Sequence, residues 1–207
     1  MNGKTDRPRY TPELLVSVAA RVFVERGYDG TSMADLARAT GLAKSALYYH
    51  VQGKEQLLRL ALERAVVPLL AFAEESGGPG RAVDRLDRLV EQQVRLLVDA
   101  LPYVTLLLRV RGNTATERWA LERRRAFDRC VAGLVRRAMD EGDLWSGADP
   151  RLVSRLLSGT VNSIVEWYVP PADGRSARDR ADDLVRAVRR AIFGGLAHAP
   201  GPERVAP

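Results

Sequence analysis

The sequence predicts an all-α protein of about nine helices, a small N-terminal helix-turn-helix unit followed by a larger helical bundle. Three observations carry this. Alternating apolar–polar runs of strand period are absent, whereas apolar residues recur three and four apart almost throughout. Glycines, prolines and short polar capping residues punctuate the chain at helix-length intervals. The 207 residues, 46% apolar and 28% charged, suit a globular core with a solvated surface.

The elements follow in order. Thr11-Pro12-Glu13 opens the first helix with a capping hydroxyl, a first-turn proline and an early carboxylate; Leu15, Val18, Ala19 and Val22 share its inner face and Gly27 ends it. Ser32-Met33-Ala34-Asp35 starts a short second helix with a capping-box pattern, and Gly41 stops it. A third runs from Ala43 to Tyr49, and Gly53 precedes a longer one starting near Lys54. Ser76-Gly77-Gly78-Pro79-Gly80 is the clearest breaker. Helical spacing resumes at Leu86, Leu89, Val90, Gln93 and Leu97, and Pro102 restarts the chain toward Leu106–Arg111. Asn113 is read as the cap of a long charged helix, Ala115 to Glu141, closed by Gly142. Asp149-Pro150 opens a helix to Tyr168, which Pro170-Pro171 breaks; the last helix spans Ser176 to about Ile192. The tail His198–Pro207 is read as frayed. The spacing predicts a division into a small N-terminal unit, 8–55, and a larger helical unit, 56–198.

The net charge is +6, which favours polyanionic partners. Of the 32 basic residues only Lys4, Lys44 and Lys54 are lysines, all in the first quarter of the chain. Residues 1–60 hold nine Lys/Arg against six Asp/Glu, which argues for a local grip on a polyanion rather than a general coat. Cys130 stands alone, so no internal disulfide is available and a reducing compartment fits. No apolar run approaches the ~18 residues of a membrane span, and the N-terminus lacks a secretory apolar region, so the expectation is a cytoplasmic protein without a membrane partner. With two histidines (His50, His198) and one cysteine, no nucleophile–base set or metal cluster is visible. The sequence therefore predicts no enzyme, no cofactor and no metal.

The segment Thr31–His50 carries the sharpest signal. A short helix ending at Gly41 and another starting two residues later make the tight turn of a DNA-reading pair. Met33, Leu36, Ala37, Leu42 and Leu47 form the small core between them, which leaves Lys44, Ser45, Tyr48, Tyr49 and His50 outward. These are short-range hydrogen-bonding groups suited to phosphates and base edges of double-stranded DNA. Lys54 is placed to reach a flanking phosphate. The competing readings are packing for the two tyrosines, a solvated face for the lysines and a bystander role for His50.

Residues 11–66 resemble the DNA-binding domain of the TetR/AcrR family. The matching string is Phe23, Gly27-Tyr28-Asp29-Gly30-Thr31-Ser32, Asp35-Leu36-Ala37, Gly41-Leu42, Lys44-Ser45-Ala46-Leu47-Tyr48-Tyr49-His50 and Gly53-Lys54-Glu55-Gln56-Leu57-Leu58. The resemblance implies a three-helix reader on a regulatory bundle and adds Thr31, Ser32 and Ala43 to the DNA-contact set. Two positions depart from the family pattern: Ala43 replaces a capping serine and Val51 replaces a phenylalanine.

Farther on, Arg109-Val110-Arg111-Gly112, Glu117-Arg118, Phe127-Asp128, Glu141-Gly142-Asp143-Leu144 and Asn162-Ser163-Ile164-Val165-Glu166-Trp167-Tyr168 resemble a TetR subgroup that regulates steroid or fatty-acid catabolism and responds to CoA thioesters. This resemblance implies a small hydrophobic or acyl-CoA effector held by Leu101, Leu106, Arg109, Arg111, Phe127, Asn162 and Trp167. The run Glu117–Arg125 reads as a solvated charged helix or as arginines at a pocket mouth; Arg109 and Arg111, at the edge of the apolar run 104–108, are preferred as phosphate clamps. Leu152, Leu156 and Ile164, with Leu184, Val188 and Ile192, form stripes read as the homodimer interface, or alternatively as internal core. The implied function is a homodimeric repressor released from a palindromic operator by the effector. The alternative is a regulator of efflux or stress genes that responds to a hydrophobic, non-CoA ligand.

Overall fold

The computed structural model describes residues 11–170 and 176–196. Lys4, both outer ends of the predicted domains, the second proline of Pro170-Pro171 and the tail from His198 lie outside the described residues. All regular elements within them are helical: α1 (Pro12–Arg26), α2 (Met33–Thr40), α3 (Lys44–His50), α4 (Lys54–Glu75), α5 (Ala82–Asp99), α6 (Leu101–Arg109), α7 (Ala115–Asp140), α8 (Pro150–Asn162), α9 (Ile164–Trp167) and α10 (Ala177–Leu196).

The expected starts and stops hold where short polar side chains meet free backbone N–H groups. Thr11 Oγ1 accepts from Leu14 N at 3.3 Å. Ser32 and Asp35 form a reciprocal capping box, with Ser32 N donating to Asp35 Oδ2 at 2.9 Å and Asp35 N donating to Ser32 Oγ at 3.2 Å. Gly41, at φ 68°, turns the chain sharply enough for Leu42 N to reach Ala37 O at 3.1 Å. Two elements differ from the reading. Thr114, not Asn113, caps α7, its Oγ1 accepting from Glu117 N at 3.1 Å. The predicted helix from Asp149 to Tyr168 breaks at Ser163 into α8 and the single turn α9. Near that break, Thr160 Oγ1 donates to Leu156 O at 2.9 Å and Ser163 Oγ to Thr160 O at 2.8 Å, so side chains compete for the carbonyls of the last turn.

The 22 residues of α4 span about 33 Å and connect the two halves. Its first turns pack on α1, and its length lies against α6 and α7. Leu57, Leu58, Ala61, Leu62, Ala65 and Val66 are buried along it. The predicted division at 55/56 falls in its first turn, so reader and bundle share one continuous helix. The bundle places α5 between α7 and α10, while α8 covers α7.

The packing of α10 overturns part of the expected dimer surface. Val188 and Ile192 are buried against the protomer's own core, as is Ile164 in α9, and Leu184 is half-buried. Ion pairs stitch α10 to α5, with Arg95 Nη1 2.6 Å from Asp182 Oδ1 and Arg189 Nε donating to Asp87 Oδ1 at 2.6 Å. The stripe reads as an interface in sequence because an amphipathic helix has the same pattern whichever apolar surface it meets. Leu152 and Leu156 on α8 do remain open, at 53% and 65% exposure.

Candidate functional site: a reading helix and a regulatory cavity

Leu36, Ala37, Leu47 and Val51 are buried beneath α2 and α3, with Met33 and Leu42 packed at the margin. This core turns Lys44, Ser45, Tyr48, Tyr49 and His50 outward, all of them exposed. Tyr49 is 87% exposed and Tyr48 47%, so neither ring belongs to the core. Tyr49 meets His50 edge-on with centroids 5.4 Å apart. Lys44 Nζ lies 6.0 Å from the Tyr48 ring. A seven-residue helix thus presents an ammonium, a hydroxyl, two phenols and an imidazole to solvent. Ala43 occupies the N-cap in an extended conformation with no side-chain bond to the first turn.

Three expected DNA contacts have hydrogen-bond partners within the protein. Thr31 is buried and its hydroxyl donates to Gly27 O at 2.7 Å. The Ser32 hydroxyl is committed to the α2 capping box, bonding Asp35 at 2.5 Å. Lys54 turns away from solvent: Nζ donates to Tyr28 O and Thr31 O, both at 2.9 Å, and lies 4.3 Å from the centre of the Tyr28 ring. It latches the α1–α2 loop to α4, a role that the family string alone does not distinguish from phosphate binding. The Asp35 carboxyl is held below the ordinary range by the Ser32 hydroxyl and backbone N–H, helped by Arg38 and Arg26.

Further bonds couple the reader to the bundle. Arg109 Nη1 donates to Val24 O at 2.9 Å, Asn113 Nδ2 to Asp29 Oδ2 at 3.2 Å, and Thr116 Oγ1 to Glu55 Oε1 at 3.0 Å. Glu117, expected on a solvated face, is buried; Oε2 accepts from Gly112 N at 2.8 Å and Asn113 N at 2.7 Å and so shapes the α6–α7 turn.

The seven expected effector residues do not converge on one cavity. Leu106, Arg109 and Arg111 line a cleft of about 700 Å³ between the end of α1 and the end of α6. Leu101 borders a shallower depression with Pro102 and Val165, and Trp167 is 60% exposed on α9. Phe127 and Asn162 line a narrow apolar slot inside the bundle, walled by Leu69, Leu96, Leu97, Val104 and Leu107. Gln93, on α5, also lines it, and its buried Oε1 has no hydrogen-bond partner. Its spacing matches the apolar stripe of α5, so sequence alone gives Gln93 no binding role.

Beside the slot, and sharing Arg124, Asp128, Ser158 and Asn162 with it, a groove of about 520 Å³ runs between α7 and α8. Arg124, Arg125 and Arg129 line it from α7, Arg151 and Arg155 from α8. The signal for it was present as arginines four apart on two helices, but only packing brings the pairs together.

Among the described residues no group of His, Cys, Asp and Glu could hold a metal ion, and no helix is long and apolar enough to cross a membrane.

Comparison with known proteins gives this geometry its context. Residues 15–61 match the family of bacterial regulatory proteins called tetR, and residues 79–195 match the tetracyclin repressor-like C-terminal domain. A crystal structure of a TetR transcriptional regulator family member from Streptomyces coelicolor A3 is 51% identical, covers 94% of each chain and superposes with a TM-score of 0.82. The HTH-type transcriptional repressor KstR2 of Rhodococcus jostii is 29% identical over 75% of this chain and 78% of that protein. The crystal structure of AibR in complex with isovaleryl coenzyme A and operator DNA is 26% identical, covering 85% of this chain and 96% of that one, with a TM-score of 0.66. With both halves of the chain matched and the recognition helix exposed as such a reader requires, the protein belongs to the TetR family of DNA-binding bacterial transcriptional regulators.

Proposed function

We propose that the protein is a cytoplasmic, homodimeric repressor that leaves a palindromic operator when an acyl-CoA thioester enters its bundle. The observation that carries the effector class is the apolar slot with the unpartnered Gln93 Oε1 in its wall. An acyl chain suits the leucine and valine lining, and a buried acceptor without a donor suits an amide N–H such as those of a pantetheine arm. KstR2 and AibR, as similar proteins, support the reading.

The slot also supplies a route to the DNA. Its free space is about 30 Å³, room for a water or two, so an acyl chain must part the walls. Leu107 and Leu108 of α6 are among those walls, and the last residue of α6, Arg109, holds Val24 of α1. Displacing α6 therefore moves or frees the reader. A hundredfold loss of operator affinity needs about 2.7 kcal/mol of coupling, within the usual range.

Lys44, Ser45, Tyr48, Tyr49 and His50 make the operator contacts. Two copies pair through α8, where Leu152, Leu156 and Thr160 are exposed, and through the outer face of α10, where Ala187 and Ala191 are exposed. A two-fold axis there presents two recognition helices to the two halves of a palindrome.

The test is fluorescence anisotropy of a labelled duplex from the gene's upstream region, titrated with protein and then challenged with acyl-CoA thioesters. Sequence-selective binding that collapses on adding one thioester is the expected result. Selective binding that ignores every thioester rejects the effector class. Replacing Lys44 with Ala flattens the salt dependence by about 0.9 in log–log slope if it neutralises one phosphate; an unchanged slope removes it from the contact set.

A further inference from the structure

We infer that the groove between α7 and α8 is an anion site that receives the effector's phosphate groups, and that Asp128, the one carboxylate in its lining, opposes them. This rests on the ligand-release reading above and deepens it by giving the polar half of the effector a place.

Five arginines converge here from two helices against a single carboxylate, that of Asp128. Arg125, Arg129, Arg151 and Arg155 are exposed and Arg124 is half-buried. None of the five guanidinium groups makes an ion pair or hydrogen bond, whereas Arg81, Arg95 and Arg189 of the same bundle are all paired with carboxylates. Like charges crowded without partners repel one another, so the arrangement disfavours the empty state and favours a polyanion that bridges the two helices. The side-chain hydroxyls of Ser154 and Ser158 lie along the same wall.

Asp128 marks where the groove meets the slot, since it lines both. The residue is exposed overall, yet partial desolvation of its carboxyl where groove and slot meet raises its titration above the ordinary Asp range, against the downward pull of Arg124, Arg129 and Arg155. As the single carboxylate of the lining it repels an incoming phosphate. A thioester with its chain in the slot extends past Asp128 and Asn162 into the groove, which joins an apolar chamber to a cationic exit in the order that an acyl chain and a nucleotide phosphate demand.

Calorimetric titration of the full-length protein with adenosine 3′-phosphate 5′-diphosphate, the nucleotide of CoA without acyl or pantetheine, isolates this half. The wild type is expected to bind it, with affinity falling as salt rises. The double variant Arg125→Ala/Arg155→Ala is expected to weaken binding roughly a hundredfold, about tenfold for each charge-assisted contact. Arg123→Ala/Arg136→Ala, two exposed arginines of α7 outside the groove, removes the same charge and is expected to change it less than about twofold. Asp128→Asn is expected to tighten binding several-fold, with apo operator affinity as the check on folding. No binding by the wild type, or equal weakening in both double variants, overturns the inference. Operator release by an acyl-pantetheine thioester that the groove variants do not alter leaves the repressor reading standing and removes the groove. Groove-dependent nucleotide binding without release by any thioester does the reverse.

Discussion

The reading helix and the α7–α8 groove are both cationic surfaces, yet they handle polar side chains in opposite ways. Around α2 and α3, the groups that look most suited to phosphate are largely engaged by the protein: Thr31 bonds Gly27, Ser32 bonds Asp35, and Lys54 bonds Tyr28 and Thr31. Between α7 and α8 the guanidinium groups have no such partners. A short HTH unit has little core, so it uses polar side chains to hold its loops. The bundle is held by buried leucines and valines and can leave a charged groove unpaired. Residue type alone does not tell the two uses apart; the neighbouring carbonyls and carboxylates do.

The largest test of this contrast is Leu47→Ala. Leu47 is fully buried between α3 and its supports, so truncation is expected to destabilise the protein by roughly 2–5 kcal/mol and to abolish operator binding. Thermal or denaturant unfolding reads the first effect; survival of tight operator binding would mean the reader is held by something other than this core.

Next comes Lys54→Met. As a latch, Lys54 loses two charge-assisted bonds and a ring contact, for about 1.5–3 kcal/mol of stability, while the salt slope of operator binding stays put. As a phosphate contact, it would instead lower the slope by about 0.9 with little change in unfolding. The two measurements separate the structural role from the one that sequence favoured.

Ser32→Ala removes the α2 cap at about 1 kcal/mol. The pH dependence sharpens it. Asp35 is held below its ordinary value, chiefly by the Ser32 hydroxyl, so its contribution is complete above the ordinary Asp range and fades as pH falls through the depressed value. The gap between wild type and variant should therefore narrow on acidification below about pH 4; a gap that widens would contradict the capping-box account.

The smallest change is a gain. Ala43→Ser supplies the missing cap of α3 and is expected to raise stability by about 1 kcal/mol or less. No gain would show that the turn after Gly41 already satisfies the first N–H groups of the helix.

Local chemistry made much of the molecule legible. The caps at Thr11 and Ser32, the stop at Gly41 and the breaker after Glu75 depend on residues within four positions of one another, and a single chain read in order displays them. The outward set Lys44 to His50 was legible for the same reason, because one buried Leu47 fixes the rotation of a seven-residue helix. Periodicity places the α7 cap one residue early, at Asn113, and runs through the break at Ser163, because a single hydroxyl bond to the backbone marks each place, at Thr114 and at Ser163.

By itself, the sequence determined the helix-turn-helix, the all-helical class and the exposed reading face, since each follows from periodicity and short-range hydrogen bonding. Only the tertiary structure decided that Val188 and Ile192 face inward, that Arg109 reaches Val24 across 85 positions, and that arginines of α7 and α8 share a groove. Those outcomes depend on which apolar faces meet. An amphipathic stripe specifies that a face is buried but not its partner, and a charged residue becomes a latch or a binding group according to what the packing brings beside it.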